Sequence, residues 1–230
     1  MNIHRENGFL ISDADSPRSV GIESERLDEC IAHYHDCGFG GVFGSPSFGF
    51  RGTDLDFLTR CTTARRVWFM GCSFESIDGL YALTDLAYCG VMEKRPGIDY
   101  SRFKSLHTLV SHWNKKDSGL SQSSIKQLYL WHFNPRSKVF DGIAIPQTVE
   151  RLELTWVSPF TLDGLPVMNN LSELQIHRGR NLSDISSLAT IAPNLKKLIV
   201  TTCGRLKAYE ALSNHPTLEL AIIDGHRIKG

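Results

Sequence analysis

The chain has 230 residues, of which 41% are hydrophobic and 22% are charged, and this balance excludes a disordered, collagen-like or fibrous protein. Its 25 basic and 25 acidic residues cancel, which removes the general electrostatic argument for binding nucleic acid or an acidic membrane. The length allows one large domain or two small ones.

The N-terminus and the cysteines predict the compartment. Residues 1–8 contain no apolar stretch behind a basic start, so they do not resemble a secretory signal. No window of the sequence approaches the roughly 20 apolar residues that a membrane span needs. The six cysteines, in a chain without a signal, are expected to be buried thiols rather than a disulfide framework. These features predict a soluble, cytoplasmic protein.

Residues 1–38 are predicted to form an N-terminal cap, and residues 39–230 a single continuous domain. Within the cap, apolar side chains recur at helical spacing and a glycine follows them as a stop signal: Leu27, Ile31, Tyr34 and Gly38. Residues 8–12 are a candidate for one further strand. A cap is expected because a terminal repeat must shield the end of the core from water.

Three segments of the N-terminal region contain residue types that bind small ligands. Two cysteines and two histidines share the cap helix, but four ligands within one helix cannot surround a tetrahedral zinc ion: Cys30, His33, His35 and Cys37. Asp13 and Asp15 lack the further ligands of a calcium loop. The glycine-rich segment 38–52 lacks the lysine and serine of a phosphate-binding loop. We therefore predict no metal and no cofactor.

From residue 39 onwards one spacing recurs, in which an apolar residue is followed by two more, three and five positions later. The clearest copies begin at Ile125, Val149, Leu171 and Leu195. Weaker copies begin at Phe39, Ala64, Leu83, Leu106 and Leu218. The middle apolar residues are on average about 22 positions apart. Because alternate residues of a strand point to opposite faces, each copy predicts a short strand that sends two side chains into a shared core.

This hexad and its period resemble those of the leucine-rich repeat family, whose units of roughly 20 to 29 residues each contain one short strand. The resemblance covers about residues 39–223. The family's usual asparagine or cysteine, three positions after the last apolar residue, is found only at Cys72, Asn114 and Cys203, so the repeats are irregular. The resemblance implies an α/β solenoid with a curved parallel sheet on its concave side, mixed short helices and extended turns on its convex side, and an N-terminal helical cap.

The segments between the predicted strands differ in character. Residues 183–192 and 209–214 precede prolines and predict short helices. Residues 134–147 and 158–170 contain several prolines and glycines and predict extended or turn-like returns. After Ile223 too few residues remain for a helical lid, so the last strand is expected to leave an open edge that invites pairing with another chain.

The side chains beside the two inward positions of each strand are predicted to line the concave surface. All four tryptophans fall in these outward columns, with other aromatic, imidazole and charged side chains: Trp68, His112, Trp113, Tyr129, Trp131, His132, Glu153, Trp156, His177 and Arg178. Because tryptophan, tyrosine and arginine are enriched at the energetic centres of interfaces, this set predicts a partner-binding surface. Arg66, Glu173 and Lys197 are predicted as charges at its rim. The alternative is that rings of neighbouring turns stack on one another in a ladder without a ligand.

Together these features predict a non-enzymatic protein-binding module. By analogy with small stand-alone repeat proteins, it would be an inhibitor or antitoxin-like immunity protein that occludes a protein partner, such as a toxin or an enzyme. Neither nucleic acid nor a membrane is expected as a partner. Two alternatives stay open. One is a hydrolase or transferase that uses cysteines and histidines of the cap and loops, tested at Cys72 and Cys203; the other is a homo-oligomeric scaffold that pairs through the C-terminal edge strand.

Overall fold

The structure is a computed structural model, and it describes residues 3–14, 17–91, 93–203, 206 and 210–229. The chain divides into two compact units, Met1–Gly119 and Leu120–Gly230. Each unit contains a largely parallel sheet connected by short helices and turns, which confirms the mixed α/β class. None of the helices in the described ranges has the length and apolar character that a membrane span requires.

In the described part of the first unit, the strands lie in the sheet in chain order: β1 (Ile3–Glu6), β2 (Phe9–Ser12), β3 (Ser19–Gly21), β4 (Gly41–Gly44), β5 (Arg66–Phe69), β6 (Tyr88–Val91) and β7 (Thr108–His112). Strands β1 to β3 pair antiparallel, whereas β3 to β7 pair parallel. Short 3-10 helices, such as Asp56–Arg60 and Asp78–Ala82, connect the parallel strands.

The N-terminal region combines one helix with a β-hairpin. Helix α1 (Leu27–Asp36) confirms the predicted amphipathic helix, buries Ile31 and Tyr34, and contacts β3. Strand β2 confirms the predicted strand, but it pairs with β1, which the sequence analysis did not predict. The turn between them is Asn7-Gly8, where both residues have the positive φ that a two-residue hairpin loop requires. The hairpin therefore occupies this edge of the sheet, and the helical cap is not confirmed.

The predicted register is confirmed for β4, β5 and β7 but is wrong for β6. In β6 the residue opposite both Val67 and Leu109 is Cys89, whereas the predicted middle residue, Leu86, lies before the strand. Apolar residues recur here every three positions, at Leu83, Leu86 and Cys89, so the hexad fits the sequence in two registers. All three side chains are buried in the structure. The register found in the sheet is the one in which Cys89, and not Leu86, is the middle residue.

In the described part of the second unit, the strands also follow chain order: β8 (Gln127–Trp131), β9 (Arg151–Thr155), β10 (Glu173–His177), β11 (Lys197–Thr201), β12 (Leu220–Ile223) and β13 (His226–Lys229). Strands β8 to β12 pair parallel. Their predicted middle residues lie opposite one another and are fully buried: Leu128, Leu152, Leu174, Leu198 and Ala221. The repeat therefore aligns these strands through a continuous apolar row.

The connections and the C-terminal edge of this unit differ in part from the sequence predictions. The two predicted helices are shorter, as α2 (Leu188–Ile191) and α3 (Glu210–Ser213); Tyr209, the predicted start of the latter, lies outside the described residues. Strand β13 pairs antiparallel with β12 across an Asp224-Gly225 turn of positive φ. The expectation of an open edge at β12 is therefore wrong, and the exposed edge strand is β13.

The C-terminal part of the first unit contains a buried ion pair between Arg95 and Asp117. The guanidinium of Arg95, which has no exposed surface, donates hydrogen bonds to both carboxylate oxygens of Asp117 at 2.6 and 2.8 Å. It also donates to the hydroxyl of Ser111 on β7, at 2.7 Å. Burial opposes the charge on Arg95, but the hydrogen bonds to Asp117 outweigh it and raise the pKa of Arg95. The pair therefore depends on both partners.

Candidate functional site

Strands β8 to β11 of the second unit end in the same backbone turn. The residue four positions after each buried middle leucine has a positive φ of 55 to 60°: His132, Trp156, Arg178 and Thr202. This left-handed conformation is unfavourable for residues with a side chain, and most of all for bulky or β-branched ones. At the equivalent position after β5 and β12 the chain has Gly71 and Gly225, which adopt it without steric cost.

Three of these consecutive strand ends place their side chains in one group, the Trp156 stack, which consists of Trp131, His132, Trp156 and Arg178. The imidazole of His132 is parallel to the Trp156 ring, with centroids 4.8 Å apart. The guanidinium of Arg178 lies 4.8 Å from the centroid of Trp156. Because β8 and β10 lie on opposite sides of β9, the indole is held between imidazole and guanidinium.

The spacing of the Trp156 stack follows from the sheet. Neighbouring strands are about 4.8 Å apart, so side chains projecting from equivalent strand-end positions meet at stacking distance. The ring of Trp131 meets Trp156 edge-on, at a centroid distance of 5.8 Å. Trp156 is nevertheless 38% exposed, and His132 and Arg178 are exposed beside it. The stack is thus an ordered aromatic and cationic group at the surface.

A chain of hydrogen bonds lies on β10 and β11 beside the stack. The amide nitrogen of Gln175 donates to Glu173 Oε1 at 2.6 Å, so the Gln175 oxygen accepts from His177 Nε2 at 2.9 Å. His177 Nδ1 makes a hydrogen bond with the hydroxyl of Thr201, at 2.7 Å. The hydrogen bonds at both ring nitrogens hold His177 in one orientation next to Arg178.

The acidic end of this chain is part of a charge network. Burial opposes ionisation of Glu173, but hydrogen bonds from Lys197 and Gln175 outweigh it and lower the pKa of Glu173. Lys197 lies 3.0 Å and Arg151 3.9 Å from the Glu173 carboxylate. The two residues predicted as rim charges in this unit, Glu173 and Lys197, therefore neutralise each other.

Sequence reasoning missed Gln175 and Thr201 as members of this chain. A usable signal was present, because Glu173, Gln175 and His177 alternate along one strand and must therefore share a face. Two predicted residues, Tyr129 and Glu153, lie opposite each other in β8 and β9 and are half-buried. They share the face of the hydrogen-bond chain rather than belonging to the Trp156 stack.

The predicted residues of the first unit are arranged differently. Trp68 is only 7% exposed, and its ring stacks on Phe43 with centroids 4.6 Å apart, in a cluster with Leu10. The predicted exposure of Trp68 is therefore wrong, and the stacking alternative describes it. The physical reason is that equivalent residues of neighbouring strands carry large rings, and Phe48 packs against them from a 3-10 helix. Such a cluster stabilises the unit rather than offering a contact surface.

The remaining predicted positions of the first unit lie at or next to the ends of its strands. His112 ends β7 and Trp113 follows it, and both are half-buried. The backbone carbonyl of His112 accepts a hydrogen bond from Ser111. The predicted rim residue Arg66 lies with its guanidinium 3.6 Å from the centroid of Tyr88. His112 and Arg66 therefore each make a contact with another residue of the first unit.

The burial of the cysteines is relevant to the alternative function, a hydrolase or transferase that uses cysteine and histidine side chains. All six are free thiols, and five are buried as expected, but Cys37 is exposed. Burial raises the pKa of Cys72 and that of Cys203 to about 11, so both stay protonated near neutral pH and are poor nucleophiles. Cys37 Sγ lies 3.5 Å from His33 Nδ1, directly after the C-terminal end of α1. No three His, Cys, Asp or Glu side chains in the described ranges are grouped as a metal site requires.

The strand-end turn predicts opposite effects at two adjacent threonines. Thr202→Gly should raise the free energy of unfolding by about 1 kcal/mol, because glycine relieves the left-handed conformation. Thr201→Gly, on β11, should lower it by about 1 kcal/mol, because glycine weakens a strand and the hydroxyl bond to His177 is lost. Urea unfolding followed by circular dichroism measures both. A destabilising Thr202→Gly would show that the Thr202 side chain makes a contact that outweighs the turn.

No family model matches the sequence, and no curated protein shows significant similarity to it. The functional conclusion therefore depends on the geometry of the Trp156 stack.

Proposed function

We propose that the protein is a non-enzymatic protein-binding module that occludes a protein partner, as an inhibitor or immunity protein does, and that the Trp156 stack is the centre of its contact surface. The observation that carries this proposal is an exposed tryptophan held between His132 and Arg178. A side chain fixed before binding loses little conformational entropy when the partner docks. Tryptophan and arginine at the centre of an interface commonly contribute about 2 kcal/mol or more each.

The backbone of the strand ends supports the same proposal. Glycine would satisfy the turn without strain, as it does at Gly71 and Gly225. His132, Trp156 and Arg178 instead occupy it at a cost on the order of 1 to 3 kcal/mol each. Residues held in unfavourable conformations cluster at ligand-binding sites, where the side chain is needed in that position. The side chains of the stack are thus favoured by something other than the stability of the turn.

The fold assigned with this function is an irregular leucine-rich-repeat solenoid whose strand faces and strand ends form the binding surface. The parallel, in-register pairing of the hexad strands within each unit supports this assignment. A cytoplasmic location is proposed with it, because every cysteine is a free thiol. The buried leucine rows would then supply the rigid support for the side chains displayed at the surface.

The test compares immobilised wild-type protein with two variants, using a lysate of the native host. Trp156→Ala should reduce retention of the partner by at least about 30-fold, which corresponds to about 2 kcal/mol. Phe160→Ala is the matched control, because Phe160 is a similarly exposed aromatic residue, 41% exposed, in a return segment of the same unit. Both variants should keep the circular dichroism spectrum of the wild type.

Mass spectrometry identifies the retained proteins, and the affinity of the candidate partner is then measured with purified components. A partner held by wild type and Phe160→Ala but lost by Trp156→Ala supports the proposal. Equal retention by Trp156→Ala, or no specific partner for the wild type, contradicts it.

A further inference from the structure

In the second unit's sheet, the side where the strands begin and the side where they end differ in the balance of positive and negative side chains. Where the strands begin, lysine and arginine side chains pair with glutamates of neighbouring strands: Lys126–Glu150 at 2.9 Å, Lys197–Glu173 at 3.0 Å, Lys196–Glu219 at 3.4 Å and Arg151–Glu173 at 3.9 Å. Each of these four cations therefore has a carboxylate within 3.9 Å, although Arg151 and Lys197 share Glu173. Their charges are largely compensated, so they attract a charged partner only weakly.

Where the strands end, the cations are not balanced in this way. Arg178 and Arg180 are exposed, and no ion pair joins either of them to a carboxylate in the described part of the unit. The carboxylate of Asp224 accepts a hydrogen bond from the backbone N–H of Thr202. The strand ends that carry the Trp156 stack thus present positive charge together with an exposed aromatic ring.

The geometry of the stack limits what can bind there. The imidazole of His132 is stacked on the Trp156 ring and the guanidinium of Arg178 lies over it, so both groups compete with a stacking nucleobase, the usual mode of single-strand binding. Trp156 is still 38% exposed, and the edge of an aromatic ring carries the positive end of its quadrupole. A guanidinium that lies flat on a ring keeps its in-plane N–H groups for a carboxylate, which it can bind through two hydrogen bonds.

From these observations we infer that the partner presents an acidic protein surface, in which a carboxylate binds Arg178 and an apolar side chain packs against the exposed edge of Trp156. This inference rests on the proposed function and specifies the chemistry of its partner. The unpaired charge of Arg178 and Arg180 accelerates encounter with such a surface, and the apolar contact of Trp156 provides the affinity. The association is therefore sensitive to salt.

The experiment uses three probes on the full-length, isotope-labelled protein. They are a short blocked peptide of alternating Asp and Leu, the same peptide with Lys at each Asp, and a single-stranded oligo-dT. NMR titration follows the indole N–H signal of Trp156 and the guanidinium signal of Arg178. We expect the Asp–Leu peptide to shift both signals and to bind at least about tenfold more tightly than the Lys–Leu peptide, with affinity falling as salt is added.

Three variants separate the effect of Arg178 from general charge. Arg178→Gln should weaken binding of the Asp–Leu peptide about tenfold, and Arg178→Lys should recover part of the loss, because it keeps the charge but not the planar donor pair. Arg227→Gln, which removes an exposed arginine of β13, is the matched control and should bind as the wild type does. Tighter binding of Lys–Leu or oligo-dT, no shift with the Asp–Leu peptide, or unchanged affinity of Arg178→Gln would overturn the inference.

Failure of this inference is distinguishable from failure of the proposed function. If the native partner is lost by Trp156→Ala but retained by Arg178→Gln, the protein-binding function stands and the acidic surface is wrong. If the native partner is retained by Trp156→Ala, the proposed contact surface itself is wrong. A partner lost by both variants, together with selective binding of the Asp–Leu peptide, supports both.

Discussion

Replacing Arg95 with methionine is expected to lower the free energy of unfolding by about 3 to 5 kcal/mol. The change leaves the Asp117 carboxylate in a nearly buried position without the guanidinium that binds both of its oxygens. Ser111 also loses its charged partner. Because a typical domain is stable by only about 5 to 15 kcal/mol, this loss should be visible as a large fall in the urea midpoint.

Two controls keep this result interpretable. Arg65→Met removes an exposed arginine of the same unit and should change stability by no more than about 0.5 kcal/mol. Combining Arg95→Met with Asp117→Leu removes both charges and should recover much of the loss, because a buried ion pair is costly mainly when one partner is left alone. A loss below about 1 kcal/mol for Arg95→Met would show that Asp117 becomes hydrated in the variant.

Replacing Trp68 with alanine is expected to lower the free energy of unfolding by about 3 to 5 kcal/mol, the second large effect. The indole of Trp68 is buried against Phe43 and Leu10, so its removal leaves a cavity in the first unit. Trp156→Ala is a control of the same residue type and should cost no more than about 1 kcal/mol, because Trp156 is substantially exposed. Thermal and urea unfolding of both variants test the contrast. Equal destabilisation would assign the Trp156 stack to folding instead of binding.

Much of the sheet could be predicted because its signal is periodic. Leu128, Leu152, Leu174 and Leu198 recur in one pattern, and the structure aligns them across β8 to β11. Both antiparallel hairpins were missed, although the Asn7-Gly8 turn belongs to the strongest short-range hairpin signals and Asp224-Gly225 is equivalent. Both hairpin turns lie outside the repeated hexads, so the periodic pattern carries no information about them. The β6 register was ambiguous because apolar residues spaced by three satisfy two alignments.

The candidate site could be predicted only in part. The sequence places Trp68 and Trp156 in outward columns, but Trp68 lies within β5 whereas Trp156 directly follows the last residue of β9. Whether an outward ring is exposed depends on what packs over it, and Phe48, which contacts the Trp68 cluster, comes from a separate segment. The left-handed turn at Trp156 is likewise a property of the backbone. A sequence pattern of apolar residues does not reveal either feature.

The recurrent turn at the strand ends makes the displayed surface modular. Each of the positions 132, 156, 178 and 202 projects one side chain from an almost identical backbone, while the leucines behind it are fully buried. Exchanging the residue at one of these positions would alter the shape and charge of the surface at the end of that strand, without disturbing the buried leucine core. A protein built in this way can be retargeted to a new ligand by few substitutions, by natural divergence or by selection from a library randomised at these codons.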